Sequence, residues 1–120
     1  MLEETVANWI DTNTSLTVGT DLAIGEMPDD VKEGAVVIFN RDIPSFDGYD
    51  HSLIQVVLFY YDYVVGRTLA ISLANLFTAR KGCAGDSWAV SEEVTDDYLG
   101  LDQIDRHVFS LSVETVYKEA

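Results

Sequence analysis

The sequence predicts an α+β fold, in which two helices pack on one face of a mostly antiparallel sheet of about five strands. Apolar residues recur with a helical period in two segments, and strand-like segments lie between and after them. The connections between the strands have hairpin-like lengths. At 120 residues the chain is the size of one domain, so we expect a single domain over residues 1–120.

The first helix is predicted at the start of the chain. Its apolar stripe consists of Leu2, Val6, Trp9 and Ile10. Glu3 and Glu4 lie in its first turn, where carboxylates interact favourably with the helix dipole. Residues 11–14 are Asp, Thr, Asn and Thr, whose side chains compete for backbone hydrogen bonds, so we expect the helix to break there.

Three strand regions follow. Residues 16–24 predict one or two short strands around a turn at 19–21, and the β-branched run 35–39 predicts a buried strand. Residues 40–51 are predicted to form a long protruding hairpin loop. The strongest strand signal covers residues 53–61.

The strand at 53–61 is apolar on both sides. Ile54, Val56, Leu58 and Tyr60 point one way, and Leu53, Val57, Phe59 and Tyr61 point the other. Two short helices can cover one face of a sheet but hardly both. The second face is therefore an exposed apolar patch or an interface, which leads to the hypothesis of self-association into a cyclic oligomer.

From Asp62 the apolar period changes to that of a helix. The predicted stripe consists of Val64, Val65, Thr68, Leu69, Leu73, Leu76 and Phe77. The helix is expected to end near Arg80 and Lys81, cations that suit a helix C-terminus, and to be closed by residues 82–85.

The last third of the chain predicts a short strand at 88–90, an acidic loop or splayed hairpin tip at 92–105, and a strand at 108–117. The final strand alternates. Its apolar face holds Phe109, Leu111, Val113 and Tyr117, and its polar face holds Ser110, Ser112 and Glu114.

Charge excludes several classes of protein. Seven Lys and Arg stand against 21 Asp and Glu, a formal net charge of −14. Such a chain lacks the cations that neutralise phosphates and should be repelled by anionic lipid. With 48% apolar residues it is not a disordered acidic tail. One cysteine, an acidic N-terminus and no apolar run of membrane-spanning length predict a soluble intracellular protein.

Catalytic and metal-binding signals are weak. The two histidines, His51 and His107, are far apart in the chain, and Cys83 has no local partner. No phosphate-binding glycine motif occurs. With so many carboxylates, acidic pairs such as Asp47 and Asp50 are expected by chance, and a solvated acidic face is the simplest interpretation. We therefore expect no enzyme, cofactor or metal site, although a carboxylate-pair enzyme stays open as the weakest alternative.

Arg67 is unusual, because it lies early in an otherwise apolar helix. Asp62 and Asp105 are its expected partners if it sits at the helix edge, and an intersubunit salt bridge is the alternative. The candidate contact residues for subunits or other partners are Asp47, Tyr49, Asp50, Phe59, Tyr61 and Arg67.

The order of elements resembles the tail-terminator and minor-capsid (tail-completion) family of long-tailed bacteriophages. Three stretches carry the resemblance: residues 18–28, residues 52–63 leading into the helix that ends in Leu76 and Phe77, and residues 105–111. Relatives often place an arginine where this sequence has Phe59 and Tyr60.

The resemblance implies a structural virion protein at the head-proximal end of the tail, assembled in the host cytoplasm. It implies a homo-oligomeric ring, a hexamer, that caps the tail tube and joins it to the head-completion or connector protein. The loops at 40–51 and 92–105 would contact neighbours or line the channel. Carboxylates lining that channel would repel phosphates, so DNA would pass without sequence-specific binding.

Two alternatives remain at this stage. An acidic inhibitor that mimics DNA would suit the net charge of −14 and would work as a monomer or dimer. Another head–tail connector of similar size would share the virion location. Ring formation separates the inhibitor from the other two, and position in the virion separates the two virion proteins.

Overall fold

A computed structural model describes residues 1–45, 47–82, 87–91 and 94–117. It has an α+β fold with two helices and a six-stranded, mostly antiparallel open sheet, where the sequence predicted about five strands. The elements in chain order are α1 (Leu2–Asn13), β1 (Leu22–Ile24), β2 (Gly34–Ile43), β3 (Asp50–Tyr60), α2 (Tyr63–Ala79), β4 (Trp88–Val90), β5 (Thr95–Leu101) and β6 (His107–Tyr117).

The sheet is built around β3 and β6, which pair antiparallel along their whole lengths. β2 pairs antiparallel with the other side of β3, and the short β1 joins β2 in parallel. β4 and β5 follow one another along the free side of β6. The two edges of the sheet are therefore β1 on one side and β4 with β5 on the other.

One hydrophobic core lies between the helices and one face of the sheet. The sheet contributes Val37, Ile54, Val56, Leu58, Phe109, Leu111 and Val113, among others. α1 packs near β1 and β2, and α2 packs over β3, β5 and β6. The two helices meet where the Trp9 and Phe77 rings lie 5.1 Å apart. The register of β3 with β6 confirms the faces predicted for the strands at 53–61 and 108–117, except for Tyr61, which lies after the end of β3.

α1 continues through Asp11, Thr12 and Asn13 instead of breaking there. The side chains of Thr12 and Asn13 donate to the carbonyls of Asn8 and Trp9, four residues back. These hydrogen bonds run along the helix, so they do not compete with it. The helix ends only at Thr14, whose backbone is extended.

The stripe predicted for α2 is wrong over its first two turns, because Thr68 is exposed along with Val64 and Val65. Val64 and Val65 are 69% and 50% exposed, and the inward residues are Gly66, Ala70, Leu73 and Phe77. Gly66 explains why the buried side of α2 differs from the predicted one. A Cβ there would lie 2.5 Å from Cε2 of Phe109, so only glycine lets the helix approach the sheet this closely.

Two predicted loops are shorter than expected. β2 extends to Ile43 and β3 begins at Asp50, so the hairpin turn covers residues 44–49 rather than 40–51. Most of the predicted acidic loop at 92–105 is strand β5, because its backbone completes the ladder along β6. Glu92, Glu93 and residues 83–85, for which a loop and a helix end were predicted, lie outside the described residues.

Candidate subunit-contact surfaces

The sheet face turned away from the helices, here called the open face, is partly apolar. It carries Ile38, Leu53, Val57, Phe59, Val108 and Val116. Neither helix packs on this face, since the core residues of both helices belong to the opposite side. The described part of the chain thus has the second apolar face that β3 predicted.

Loops cover one end of the open face. The Arg106 guanidinium lies 4.8 Å from the centre of the Phe59 ring, and its Nη1 donates to the Lys32 carbonyl at 3.1 Å. A cavity of about 300 Å³ lies here between Met27, Pro28 and Ile104. Phe59, predicted as a contact residue, is therefore already in contact with Arg106 of its own chain.

The β6 side of the open face is polar. Gln55 donates to the Ser110 hydroxyl at 2.8 Å across the β3–β6 pair. Ser112 and Glu114 continue the polar row, as the alternation in the sequence predicted. A partner on this face would meet an apolar β2–β3 half and a hydrogen-bonding β6 half.

The hairpin turn between β2 and β3 is organised by Asp47. Its carboxylate accepts hydrogen bonds from the Ser45 hydroxyl at 2.7 Å, the Tyr49 backbone N–H at 3.0 Å and the His51 ring at 2.8 Å. Ser45, Tyr49 and His51 together lower the pKa of Asp47 to about 2. Asp47 thus stabilises the turn itself, whereas the Tyr49 ring is half exposed.

A shallow cleft of about 600 Å³ separates this hairpin from the start of α1. Tyr49, Asp50 and His51 line one side of it, and Met1 and Leu2 line the other. Among the predicted contact residues, the structure therefore brings together Asp47, Tyr49 and Asp50 and leaves Phe59, Tyr61 and Arg67 elsewhere.

Tyr61 follows β3 at the opposite end of the sheet, and its side chain is half exposed. Its backbone N–H donates to the Glu33 carboxylate at 3.0 Å. Beside it, burial raises the pKa of Tyr60 to about 12, with help from the negative charges of Asp21 and Glu33. The Tyr60 phenol is therefore neutral at physiological pH.

Arg67 pairs with neither of its expected partners. Its Nη1 lies 3.2 Å from Oδ2 of Asp96 on β5. Asp62 instead caps α2 by accepting from the N–H groups of Val64 and Val65, and Asp105 closes the turn before β6. The pair is partly exposed, so its contribution to stability is about 0–1 kcal/mol.

Sequence reasoning missed an aromatic cluster beside Arg67. The Tyr63 ring lies within 5.3–5.6 Å of the rings of Tyr98, His107 and Phe109, and the Tyr98 hydroxyl is 2.8 Å from Nδ1 of His107. Exposed residues of α2 and β5 surround it, and we call the whole region the α2–β5 surface. It comprises Tyr63, Val64, Arg67, Ile71, Tyr98 and Leu101.

A signal for this surface exists in the sequence. Residues 63–82 contain Arg67, Arg80 and Lys81 and none of the 21 carboxylates of the chain. The segment that forms α2 is therefore free of acidic residues in an otherwise acidic chain. The apolar period alone did not reveal it, because Val64 and Val65 were assigned to the core.

The structure gives no sign of a metal centre or a membrane span within residues 1–45, 47–82, 87–91 and 94–117. No three His, Cys, Asp or Glu side chains in these ranges come together in a way that could hold a metal ion. No helix in the same ranges is long and apolar enough to cross a membrane.

Comparisons with known proteins support the fold alone. No family model matches the chain, and no curated protein matches it. One solved structure superposes on 99% of this chain and 92% of its own, with a TM-score of 0.62 and 14% sequence identity. Its name describes no activity, partner or assembly. At this identity the match shows that the architecture occurs in another protein and says nothing about function.

Proposed function

We propose that this protein is a structural virion protein resembling phage tail terminators. In this proposal, copies of the chain form a ring, a hexamer, at the head-proximal end of the tail. The ring caps the tail tube, stops its polymerisation and joins it to the head-completion protein. This proposed function is structural and requires no catalysis by the chain.

The open face of the sheet carries the proposal. Half-buried residues such as Ile38 and Leu53 give this face an apolar half, and both helices lie on the other side. Burying apolar surface contributes about 25 cal/mol per Å², so association through this face is favourable. A ring gives every copy the same neighbours and leaves no copy with this surface exposed.

The charge supports the passage of DNA through such a ring. A net charge of −14 for each copy makes the wall of the channel repel phosphates wherever carboxylates line it. DNA would then slide without being retained by counterion release. A channel lined mainly by Lys and Arg in an imaged ring would contradict this part of the proposal.

Imaging the protein with tail tubes tests the function. The purified protein, alone and mixed with polymerising tube protein, should be examined by negative-stain microscopy and light scattering. We expect rings and tubes of limited length that end in a cap. A protein that stays monomeric at high micromolar concentration and leaves tube growth unchanged would refute the proposal.

A matched pair of variants links assembly to the open face. Leu53→Ser removes a half-buried side chain from the open face, and Leu69→Ser removes one from the helix side. Both should lower the melting temperature, but only Leu53→Ser should reduce ring formation. If both variants reduced ring formation equally, the open face would not be the surface through which the copies associate.

The acidic inhibitor is the second candidate, favoured by the net charge alone. An inhibitor that mimics DNA should bind a basic nuclease tightly as a monomer or dimer, and salt should abolish the binding. The same protein preparation can be tested for both properties. Rings without nuclease binding favour the virion protein, and nuclease binding without rings favours the inhibitor.

A further inference from the structure

Exposed apolar side chains are concentrated at one end of the sheet. At this end β3 finishes at Tyr60, which pairs with His107 at the start of β6, and β5 finishes at Leu101 on the other side of His107. The segments 61–65 and 98–104 hold eight large apolar side chains here, each 42–69% exposed. We call them the apolar end, which consists of Tyr61, Tyr63, Val64, Val65, Tyr98, Leu99, Leu101 and Ile104.

The two segments of the apolar end are in contact with each other. The rings of Tyr63 and Tyr98 lie edge to face with their centres 5.3 Å apart. Tyr98 and Leu101 lie on the same side of β5. Val64 and Leu99, which directly follow the two tyrosines, are the most exposed of the eight side chains. The side chains of both segments therefore form one patch.

The exposed area of the apolar end is large for a protein that acts alone. At these exposed fractions the eight side chains present roughly 700 Å² to solvent. The largest apolar patch on a monomeric protein is typically about 300–600 Å². In an interface of standard size each partner contributes about 800 Å². The apolar end thus has the size of one side of a protein–protein interface.

The opposite end of the sheet, at the β2–β3 hairpin, is acidic. Its exposed rings, Phe39 and Tyr49, lie around the cleft beside α1. Glu3, Asp42 and Asp50 line the same cleft. Carboxylates among the rings keep this end hydrated, so a partner with an apolar surface should bind the apolar end and not the hairpin end.

The charges near the apolar end lie at its border. This border carries two ion pairs and two further exposed carboxylates: Arg67 with Asp96, Arg106 with Asp102, Asp97 and Asp105. An uncharged centre inside a polar rim is the usual composition of a protein–protein interface. Because the rim is negative overall, it favours a partner whose own rim is basic.

The apolar end is separate from the part of the open face that can receive another copy. Where the open face reaches this end, Arg106 already covers Phe59, with its guanidinium 4.8 Å from the ring centre. The half-buried apolar residues of the open face include Ile38 and Leu53. Leu53 precedes Tyr61 by eight positions, about 26 Å along an extended chain. A copy bound at Leu53 therefore leaves the apolar end accessible.

We infer that the apolar end is the surface by which the ring docks on the end of the tail tube. The matching surface of the tube protein is apolar at its centre and basic at its rim. This inference rests on the proposed function and names the surface that contacts the tube. Every copy in a ring presents the same end, so several contacts act together and each one can be weak.

A matched pair of glutamate substitutions tests the docking surface. Val65→Glu adds a charge to the apolar end at the third residue of α2, where a carboxylate favours the start of a helix. Tyr49→Glu adds the same charge at the hairpin end, and the two original side chains are 50% and 53% exposed. Circular dichroism and light scattering should show folded rings for both variants.

Binding to preformed tail tubes is then measured by cosedimentation. Val65→Glu should weaken the binding about tenfold, because the contact buries an unpaired charge, and Tyr49→Glu should leave it unchanged. Sulfate provides a second readout, since it strengthens the burial of apolar surface. Tube binding by the wild-type ring should persist as sulfate rises, and loss of binding would show that exposed charges dominate the contact.

The outcomes distinguish this inference from the proposed function. Val65→Glu rings that cap tubes as well as wild-type rings would refute the docking surface and leave the tail-terminator proposal standing. Wild-type rings that do not bind tubes would refute the function and the docking role with it. Rings that stack in pairs, and that separate in Val65→Glu while capping is unchanged, would assign the apolar end to a second copy and overturn the inference.

Discussion

α1 and α2 lie side by side on the same face of the sheet and share one core, yet their outer surfaces differ. α1 carries three carboxylates and has no side-chain cap at its N-terminus. α2 carries no carboxylate, is capped by Asp62 and exposes valine residues in its first turn. The inward faces are similar because both must fill the same core. The outer faces differ, because α2 exposes valine and isoleucine side chains and α1 carries carboxylates.

Removing Phe77 should have the largest effect, and it tests the inward face of α2. Its ring is fully buried against Trp9 and Trp88, so Phe77→Ala should lower the free energy of unfolding by about 3–5 kcal/mol. Ile71→Ala, on the outer side of the same helix, should change it by less than about 0.5 kcal/mol. Urea denaturation of the monomer measures both. Similar losses of unfolding free energy in the two variants would contradict the assignment of Phe77 to the buried side of α2 and Ile71 to the exposed side.

Gly66→Ala should have the next largest effect. Alanine usually stabilises a helix by about 1 kcal/mol relative to glycine, but here the new Cβ overlaps the Phe109 ring. We expect a net loss of about 1–2 kcal/mol in urea denaturation. Phe109→Leu in the same chain should remove the overlap and reveal a favourable coupling between the two changes. A gain in stability for Gly66→Ala alone would contradict the close approach of α2 to the sheet.

The starts of the two helices should respond differently to the loss of a carboxylate. Asp62→Ala removes the hydrogen bonds to Val64 and Val65 and should cost about 1 kcal/mol, whereas Asp62→Asn can still cap. Replacing Glu3 and Glu4 by Gln should cost about 0.3–1 kcal/mol and less at high salt, because only the dipole is affected. Thermal melts at two salt concentrations separate the two cases. A salt-dependent loss for Asp62→Ala would argue against a cap.

The smallest effect concerns the hairpin beside the start of α1. The pKa of Asp47 is lowered to about 2 when the protein is folded, below its ordinary value of 3.8. Its ionised form therefore stabilises the fold above about pH 4, and this contribution is lost as the pH falls towards 2. NMR titration of the Asp47 carboxyl should show the low pKa, and Ser45→Ala should raise it. An unchanged pKa in Ser45→Ala would exclude the serine hydroxyl as the main cause.

Much of the fold could be predicted from the sequence because the spacing of apolar residues follows which side chains are buried. The alternation in 108–117 predicted both faces of β6, and the two apolar sides of 53–61 predicted the open face. β5 was missed because Thr95 to Leu101 is acidic and mostly exposed, and its strand structure comes from backbone pairing with β6. Side-chain pattern cannot reveal a strand whose stability comes from its neighbour.

The contact surfaces were less predictable for a related reason. Val64 and Val65 were assigned to the core, since an apolar residue in a helix normally points inward. Gly66 shifts the buried side of α2, and its role depends on Phe109, which lies 43 positions later in the chain. Arg67 likewise pairs with Asp96 rather than with a carboxylate close in sequence. Such partners are fixed by tertiary packing.

The central pairing of β3 with β6 has a consequence for how the chain folds. Ile54 pairs with Val113, 59 positions later, and β6 follows all the other described strands. Closing such a distant pair is slow, so folding should occur in milliseconds to seconds rather than microseconds. During synthesis β3 must wait for β6 to leave the ribosome, with one side of its backbone unpaired. The sheet is therefore completed only after β6 has been synthesised, and chains that stop before β6 should aggregate.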